Sequence, residues 1–146
     1  LKIAVAERHH NTGHIGLGYL KGYGLRQGAV ATSIAHDSHN IIAVGTNDED
    51  IAFAINRISA LQGGIVVAEG GKVIAELPLP VAGLMSDAPL EEVNDLLEQA
   101  KAAAHRMGVS CGIDPFMTLS FMSLPVIPSL KITTQGVFDV DRWQYI

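Results

Sequence analysis

The sequence has 146 residues, of which 48% are apolar and 17% are charged, and its formal net charge is -5. A mean hydropathy of +0.27 with so few charges is typical of one folded domain and argues against a disordered chain. The acidic balance offers no basic surface for nucleic acid, no apolar run approaches the roughly 18 residues of a membrane span, and no signal peptide is visible.

The first third of the chain predicts a series of strands. The chain begins with Leu1 where a natural start would place methionine, and a strand-like segment follows at once over 2–8, so we expect a piece cut from a longer protein. The glycine-dense segment 9–24 predicts irregular structure or a bulged strand. Residues 28–35 are small and apolar on both faces, as in a central strand covered on both sides, and 41–44 predict the next strand.

A helix is predicted after Asn47, which is a good N-cap and is followed by three acidic residues that suit the positive end of a helix dipole. Gly63-Gly64 is expected to stop this helix. The apolar residues with helical spacing are Ile51, Ala54, Ile55, Ile58 and Leu61.

A hairpin is predicted next, because strand-like segments over 65–69 and 72–77 flank the two-residue turn signal Gly70-Gly71. Pro78 and Pro80 close it.

The last part of the chain predicts two more helices and a second hairpin. The first of these helices begins near Asp87 and Pro89 and ends at Gly108. A short third helix is expected between the N-cap Asp114 and Pro125, and a hairpin over 130–140 is expected around Gln135-Gly136. The residues that the longer of the two helices is expected to bury are Leu90, Val93, Leu97, Ala100, Ala104 and Met107.

These elements predict a single α+β domain over residues 1–146. Its sheet should be mixed or antiparallel, built with hairpins, and packed by two longer helices and one short helix. No internal repeat, low-complexity tract or linker interrupts the chain.

The polar stretch SIAHDSHN, residues 33–40 (the octet), is the main candidate site. Imidazole and carboxylate groups on His36, Asp37 and His39 can bind a metal, but their spacing matches no zinc signature. The alternative is a polar turn in which Asp37, Ser38 and Asn40 bond their own backbone. The end of a buried strand often carries function, so both interpretations stand.

Other polar or reactive residues favour structural roles. His9, His10 and His14 lie in a glycine-rich segment that does not open a convincing phosphate-binding helix, so a surface or interface loop is predicted. Cys111 cannot form an internal disulfide, fits a reducing cytoplasm and has no activating histidine near it, which predicts a buried or inert thiol. Ser33 and Ser38 lack the nucleophile elbow of serine hydrolases, which argues against that activity. His105 is expected to be solvated. Met117, Phe121 and Met122 are expected to belong to the core.

Four motifs give the chain a family resemblance: AHDSHNI, VGTNDED, LPLPVAGLMSD and PFMTLSF. Together with the segments around them they cover essentially all of residues 3–140. In this combination the sequence resembles the C-terminal domain of bacterial adenine deaminase.

The resemblance implies a longer enzyme of the amidohydrolase superfamily that hydrolyses adenine to hypoxanthine and ammonia for purine salvage or adenine catabolism. Its barrel, holding manganese or iron, would precede this domain. No His-x-His pair of the amidohydrolase metal motif occurs here, so no catalytic residue or metal ligand is assigned, and this piece alone is expected to be inactive without a cofactor of its own.

The domain's expected tasks are to cover the barrel, to shape the purine pocket and to support a homo-oligomer in the cytoplasm. The residues expected to touch adenine are His36, Asp37, Ser38, His39 and Asn40. The alternatives are a purely structural or dimerisation module without substrate contact and, third, a free-standing small-molecule or metal-binding protein.

Overall fold

A computed structural model describes residues 1–146 and contains nine strands and three helices. None of the helices has the length and apolar character needed to cross a membrane. In chain order the elements are β1 (Lys2–Ala6), β2 (Ile15–Tyr19), β3 (Ala29–Thr32), β4 (Ile41–Gly45), α1 (Asp48–Ala60), β5 (Gly64–Glu69), β6 (Lys72–Pro78), α2 (Leu90–Arg106), α3 (Pro115–Met122), β7 (Leu130–Thr133), β8 (Gly136–Asp139) and β9 (Gln144–Tyr145).

Six strands form the main sheet in the order β2-β1-β4-β3-β5-β6, and every neighbouring pair is antiparallel. β3 lies inside the sheet, where Val30 pairs with Val44 on one side and with Val67 on the other. All four residues of β3 are buried, which confirms the predicted central strand. The α+β class with an antiparallel sheet, two longer helices and one short helix is confirmed as well.

The two faces of this sheet are covered by different helices. α1 packs on a face built largely of small residues, while α2 and α3 cover a face of larger valine and isoleucine side chains. Side chains alternate between faces along each strand, so in β1 Ala4 lies on the face that α1 covers and Val5 on the opposite face. The remaining alanines of the α1 face are Ala6, Ala29, Ala31, Ala43 and Ala68.

The predicted ends of α1 hold with one adjustment. The Asn47 side chain accepts a hydrogen bond from the Asp50 N–H at 2.8 Å, which confirms the N-cap. At the other end the left-handed residue is Gln62, with φ of 62°, and the Gly63 N–H bonds the Ile58 carbonyl. The helix therefore ends at Ala60, and its closing turn precedes Gly63-Gly64.

The hairpin between β5 and β6 turns at Gly70-Gly71, as predicted. Both glycines have positive φ, 58° and 70°, which is the backbone that a tight two-residue turn requires.

The glycine-dense segment is more regular than the sequence predicts. Residues 15–19 form β2, which pairs with β1 residue for residue without a bulge. The glycines serve packing instead, because a Cβ on Gly16 would lie 1.8 Å from the Thr133 carbonyl oxygen of β7. A small sheet of β7, β8 and β9 can therefore rest directly on β2.

Some residues predicted to be buried lie at the surface. Leu90 is 77% exposed, because the fully buried residues of α2 all lie in its second half. α3 begins at the predicted N-cap Asp114, but it buries only the face that carries Phe116, Leu119 and Ser120. Met117 and Phe121 are consequently exposed, whereas Met122 packs partly against the core. The Cys111 thiol is also exposed, so of the two predicted alternatives, a buried or an inert thiol, the buried one is wrong.

Candidate functional site

Three connecting segments meet at one end of the main sheet. The antiparallel register pairs Ala6 with Ile41, Thr32 with Ile65 and Gly64 with Pro78. The segment after β1 (7–14), the octet and the segment after β6 (79–85) therefore all lie at the same end of the strands. We call this end of the sheet the polar end.

The octet is anchored at its start by a buried serine. Ser33 is fully buried, and its hydroxyl donates to the Gly83 carbonyl at 2.6 Å while accepting from the Gly64 N–H at 2.8 Å. Because a buried hydroxyl with satisfied bonds is costly to move, the octet has a fixed point of departure from β3.

The middle of the octet is a turn, closed by a bond from the His39 N–H to the Ala35 carbonyl. Asp37 and Ser38 are exposed, and their side chains bond no other protein group. Asn40 is buried, and its side-chain oxygen accepts from the Arg8 N–H at 3.3 Å. The turn is thus held from outside the octet, and its two tip side chains stay free.

His36 is held by hydrogen bonds with α3 and its C-cap. Its N–H donates to the Ser120 carbonyl at 3.0 Å, and its own carbonyl accepts from the Ser123 hydroxyl at 3.2 Å. The imidazole stacks on the Phe121 ring with centroids 5.3 Å apart and planes inclined by 30°. Phe121, which the sequence predicts to be core, instead forms an aromatic surface with the octet.

His39 is half-buried beside His36, with ring centroids 5.5 Å apart in an edge-to-face arrangement. Burial lowers its pKa, the interactions with His36, Arg8 and His9 lower it further, and Asp37 opposes them. Nδ1 lies 3.3 Å from the Ala35 N–H and accepts from it, which assigns the ring proton to Nε2. His39 is therefore a neutral imidazole whose Nε2–H donor has no protein partner.

Arg8 ties two of the segments together. Its Nε donates to the His39 carbonyl and its Nη2 donates to the Ala82 carbonyl, both at 2.6 Å. Burial lowers the pKa of Arg8, and no carboxylate lies within ion-pair distance of it.

The segment after β1 is organised by Glu7. Its carboxylate accepts from the backbone N–H groups of Thr12, His10 and His9 and from the Thr12 hydroxyl. Desolvation alone would raise the pKa of Glu7, but these donors lower it to about 2. His10 and His14 are exposed, and His9 is exposed with its Nε2 at 2.6 Å from the Ser38 carbonyl. The segment is a surface loop, as predicted.

The chain's residues do not fit a metal site. No three His, Cys, Asp or Glu side chains lie close enough together to hold an ion, although five of the six histidines fall in 9–14 and the octet. His105 lies apart from them on α2, half-buried, with Nδ1 at 3.0 Å from the Val109 carbonyl.

Sequence reasoning missed the residues that hold the octet from outside. Arg8 and Ser123 are distant in the chain, and the 79–85 segment gave only a proline signal for the end of a hairpin. One usable signal was an arginine two residues beyond a buried strand, where a charged side chain is rarely buried without a partner.

Comparison with known proteins supplies the family. The model of the adenine deaminase C-terminal domain matches residues 1–144. Adenine deaminase from Bacillus licheniformis is 54% identical over 146 residues, which is 100% of this chain and 26% of that protein. The enzymes of Listeria welshimeri and Bacillus subtilis are 55% and 51% identical, again over 100% of this chain and 25% of each relative. The chain therefore spans about a quarter of the length of the curated relatives that it matches.

Proposed function

Since the chain belongs to the adenine deaminase C-terminal domain family, we propose that the octet and Phe121 cover the catalytic part of such an enzyme and contact its purine. The whole enzyme would hydrolyse adenine to hypoxanthine and ammonia. The relatives carry the name of this activity, and this chain matches their C-terminal quarter as the family's description states.

One observation carries the proposal: the octet is fixed at its base and free at its tip. Ser33 and Asn40 are buried and bonded, while Asp37 and Ser38 are exposed and unbonded. A contact surface gains affinity when its groups are already held in place, because less conformational entropy is lost on binding.

The free groups match the chemistry of adenine. A purine presents a ring-nitrogen acceptor at N7 beside the 6-amino donor. The His39 Nε2–H can donate to such a nitrogen, and the Asp37 carboxylate can accept from the amino group. The stacked rings of His36 and Phe121 offer an apolar face on which a base can rest. Loss of the amino group in hypoxanthine would remove the bond to Asp37 and favour product release.

The hydrolytic step itself belongs to the catalytic part. We place no step on a metal held by this chain, because its residues do not fit a metal site. Manganese or iron in the catalytic part, a homo-oligomer and a cytoplasmic location belong to the same proposal.

The test uses the full-length enzyme with Asp37→Asn and His39→Ala, numbered as here. Each variant should lower kcat/KM for adenine at least about tenfold, roughly 1.4 kcal/mol of transition-state stabilisation, with a nearly unchanged melting temperature. Asp95→Asn, an exposed site on α2, is the matched control and should leave kcat/KM unaltered. Normal kinetics for both octet variants would contradict substrate contact.

A second candidate is a structural or dimerisation module that does not touch substrate. It is favoured by the exposed apolar side chains of β2, Ile15, Leu17 and Tyr19, of which Tyr19 is 88% exposed. This role predicts that the octet variants lose thermal stability but keep normal kinetics, the reverse of the outcome expected above.

A further inference from the structure

We infer that Arg8 is a positioning residue that sets His39 for substrate contact, an inference that rests on the proposed function. Arg8 would not touch the purine. It would act by fixing the backbone at His39 and the charge around its ring.

The geometry places Arg8 between the two segments that flank the octet tip. The two guanidinium bonds, to the carbonyls of His39 and Ala82, are both 2.6 Å long. The Arg8 backbone N–H adds the bond to Asn40 Oδ1, next along the chain from His39. Arg8 thereby holds the last two residues of the octet and the 79–85 segment in one arrangement.

The backbone of the 79–85 segment is shaped to receive this guanidinium. A Cβ on Gly83 would lie 2.6 Å from Nη2 and 2.7 Å from both Cζ and Nη1 of Arg8. A side chain at position 83 would have to displace the guanidinium. Because Gly83 has no Cβ, the flat guanidinium of Arg8 can pack against the backbone at this position.

Arginine suits this role better than lysine. The rigid guanidinium presents several donors in fixed directions, so two carbonyls can be bonded at once from Nε and Nη2. A lysine ammonium keeps the charge, but its single nitrogen cannot reproduce both bonds in the same geometry. A glutamine keeps a donor and loses the charge.

Arg8 also acts on the charge of the His39 ring. The charged or titratable groups around it are His36 and Asp37 from the octet and Arg8 and His9 from the segment after β1. The residues that touch the octet from α3 and its C-cap, Ser120, Phe121 and Ser123, carry no charge. Removing Arg8 takes away one cause that lowers the pKa of His39, so that pKa rises. The proposed contact uses neutral His39. As the pH falls, the variant should therefore lose activity at a higher pH than the unaltered enzyme does.

The test is a mutant cycle in the full-length enzyme with adenine as substrate. Arg8→Gln should lower kcat/KM about tenfold and move the acid limb of its pH profile to higher pH. Arg8→Lys should keep the position of that limb and recover part of the loss. Since Arg8 acts through His39, the variant with both Arg8→Gln and His39→Ala should be no more than about twofold worse than His39→Ala alone.

A glycine pair provides a second approach that leaves Arg8 in place. Gly83→Ala should reproduce the kinetic loss and the pH shift of Arg8→Gln, and it carries the test if Arg8→Gln does not fold. Gly71→Ala is the matched control, since Gly71 has nearly the same φ, 70° against 73°, with no atom within 4 Å of an added Cβ. It should leave kinetics unchanged.

The outcomes separate the inference from the proposed function. If His39→Ala is impaired while Arg8→Gln and Gly83→Ala behave normally, the inference is overturned and the substrate contact stands. Additive losses in the double variant, or an unmoved acid limb, also overturn it. Normal kinetics for His39→Ala would overturn the role of Arg8, and only normal kinetics for Asp37→Asn as well would overturn the proposed function.

Discussion

At the scale of single residues, the polar end depends on backbone groups more than on pairs of charged side chains. Ser33, Arg8 and Glu7 all bond carbonyls or N–H groups of neighbouring segments. Such bonds fix the course of a loop without requiring a particular side chain opposite. They also explain how exposed residues such as Asp37 can be held in place while remaining free to bind something else.

Glu7 gives this scale a measurable pH dependence. Its folded-state pKa of about 2 lies below the ordinary value of 4.5, so its contribution to stability is present above about pH 4.5 and is lost as the pH falls towards 2. We expect Glu7→Gln to lower the melting temperature at neutral pH, with the difference from the unaltered protein shrinking steadily between pH 5 and about 2.

The measurement is a series of thermal unfolding curves for both proteins across that pH range. Glu69→Gln, at the end of β5, is a suitable comparison because its carboxylate accepts no hydrogen bond from the chain. A melting-temperature difference for Glu7→Gln that is constant with pH would show that the N–H donors of Thr12, His10 and His9 do not hold a carboxylate there.

At the scale of elements, the stability of α1 rests on how it meets the alanine-rich face of the sheet. Ile58 is fully buried between α1 and that face, whereas Ile55 of the same stripe is only half-buried. The small alanine side chains of this face have few atoms that could shift to fill a cavity. Truncation of a buried side chain there should therefore lower the free energy of unfolding substantially.

We therefore expect Ile58→Ala to reduce the free energy of unfolding by about 2–5 kcal/mol and Ile55→Ala by clearly less. Chemical denaturation of the two variants, with Ile58→Val as an intermediate truncation costing about 0.5–1.5 kcal/mol, makes the comparison. Equal losses at positions 55 and 58 would contradict the placement of α1 on the sheet.

The same scale shows which parts of the fold the sequence could predict. The β5–β6 turn and the two capped helices were predictable because the cause is local: Gly70-Gly71, Asn47 and Asp114 each act within four residues. The regular pairing of β2 was not, because the use of Gly16 becomes evident only when Thr133 is brought against it from more than a hundred residues away.

The candidate site was predictable in its location and not in its support. The octet was identified because it is a polar stretch at the end of a buried strand. Nothing in its sequence indicated that His36 would be hydrogen-bonded by Ser120 and Ser123, which lie more than 80 residues further along the chain. The exposure of Phe121 was missed for a related reason. An apolar run on an eight-residue helix gives no sign of which face meets the sheet, and here only one face does.

At the scale of the whole molecule, the chain's size relative to its relatives sets what it can do alone. It spans about a quarter of their length and belongs, by its family, to their C-terminal end. Its own surface offers hydrogen-bonding groups at the octet but no cluster of ligands for a metal ion. Displacement of the amino group of adenine needs an activated water, and the residues of this chain do not fit a metal ion that could activate one.

Residues 1–146 alone should therefore release no ammonia from adenine. The assay measures ammonia with manganese, iron or zinc added in turn, against a blank that contains the metal without protein. The full-length enzyme under the same conditions serves as the positive control. Because Ser33 and Arg8 hold the octet within this chain, the octet should have the same geometry in both proteins, so a difference in turnover would report the contribution of the proposed catalytic part. Turnover by the 146-residue chain well above the metal blank would contradict this division and would move the search for the reacting groups to the polar end itself.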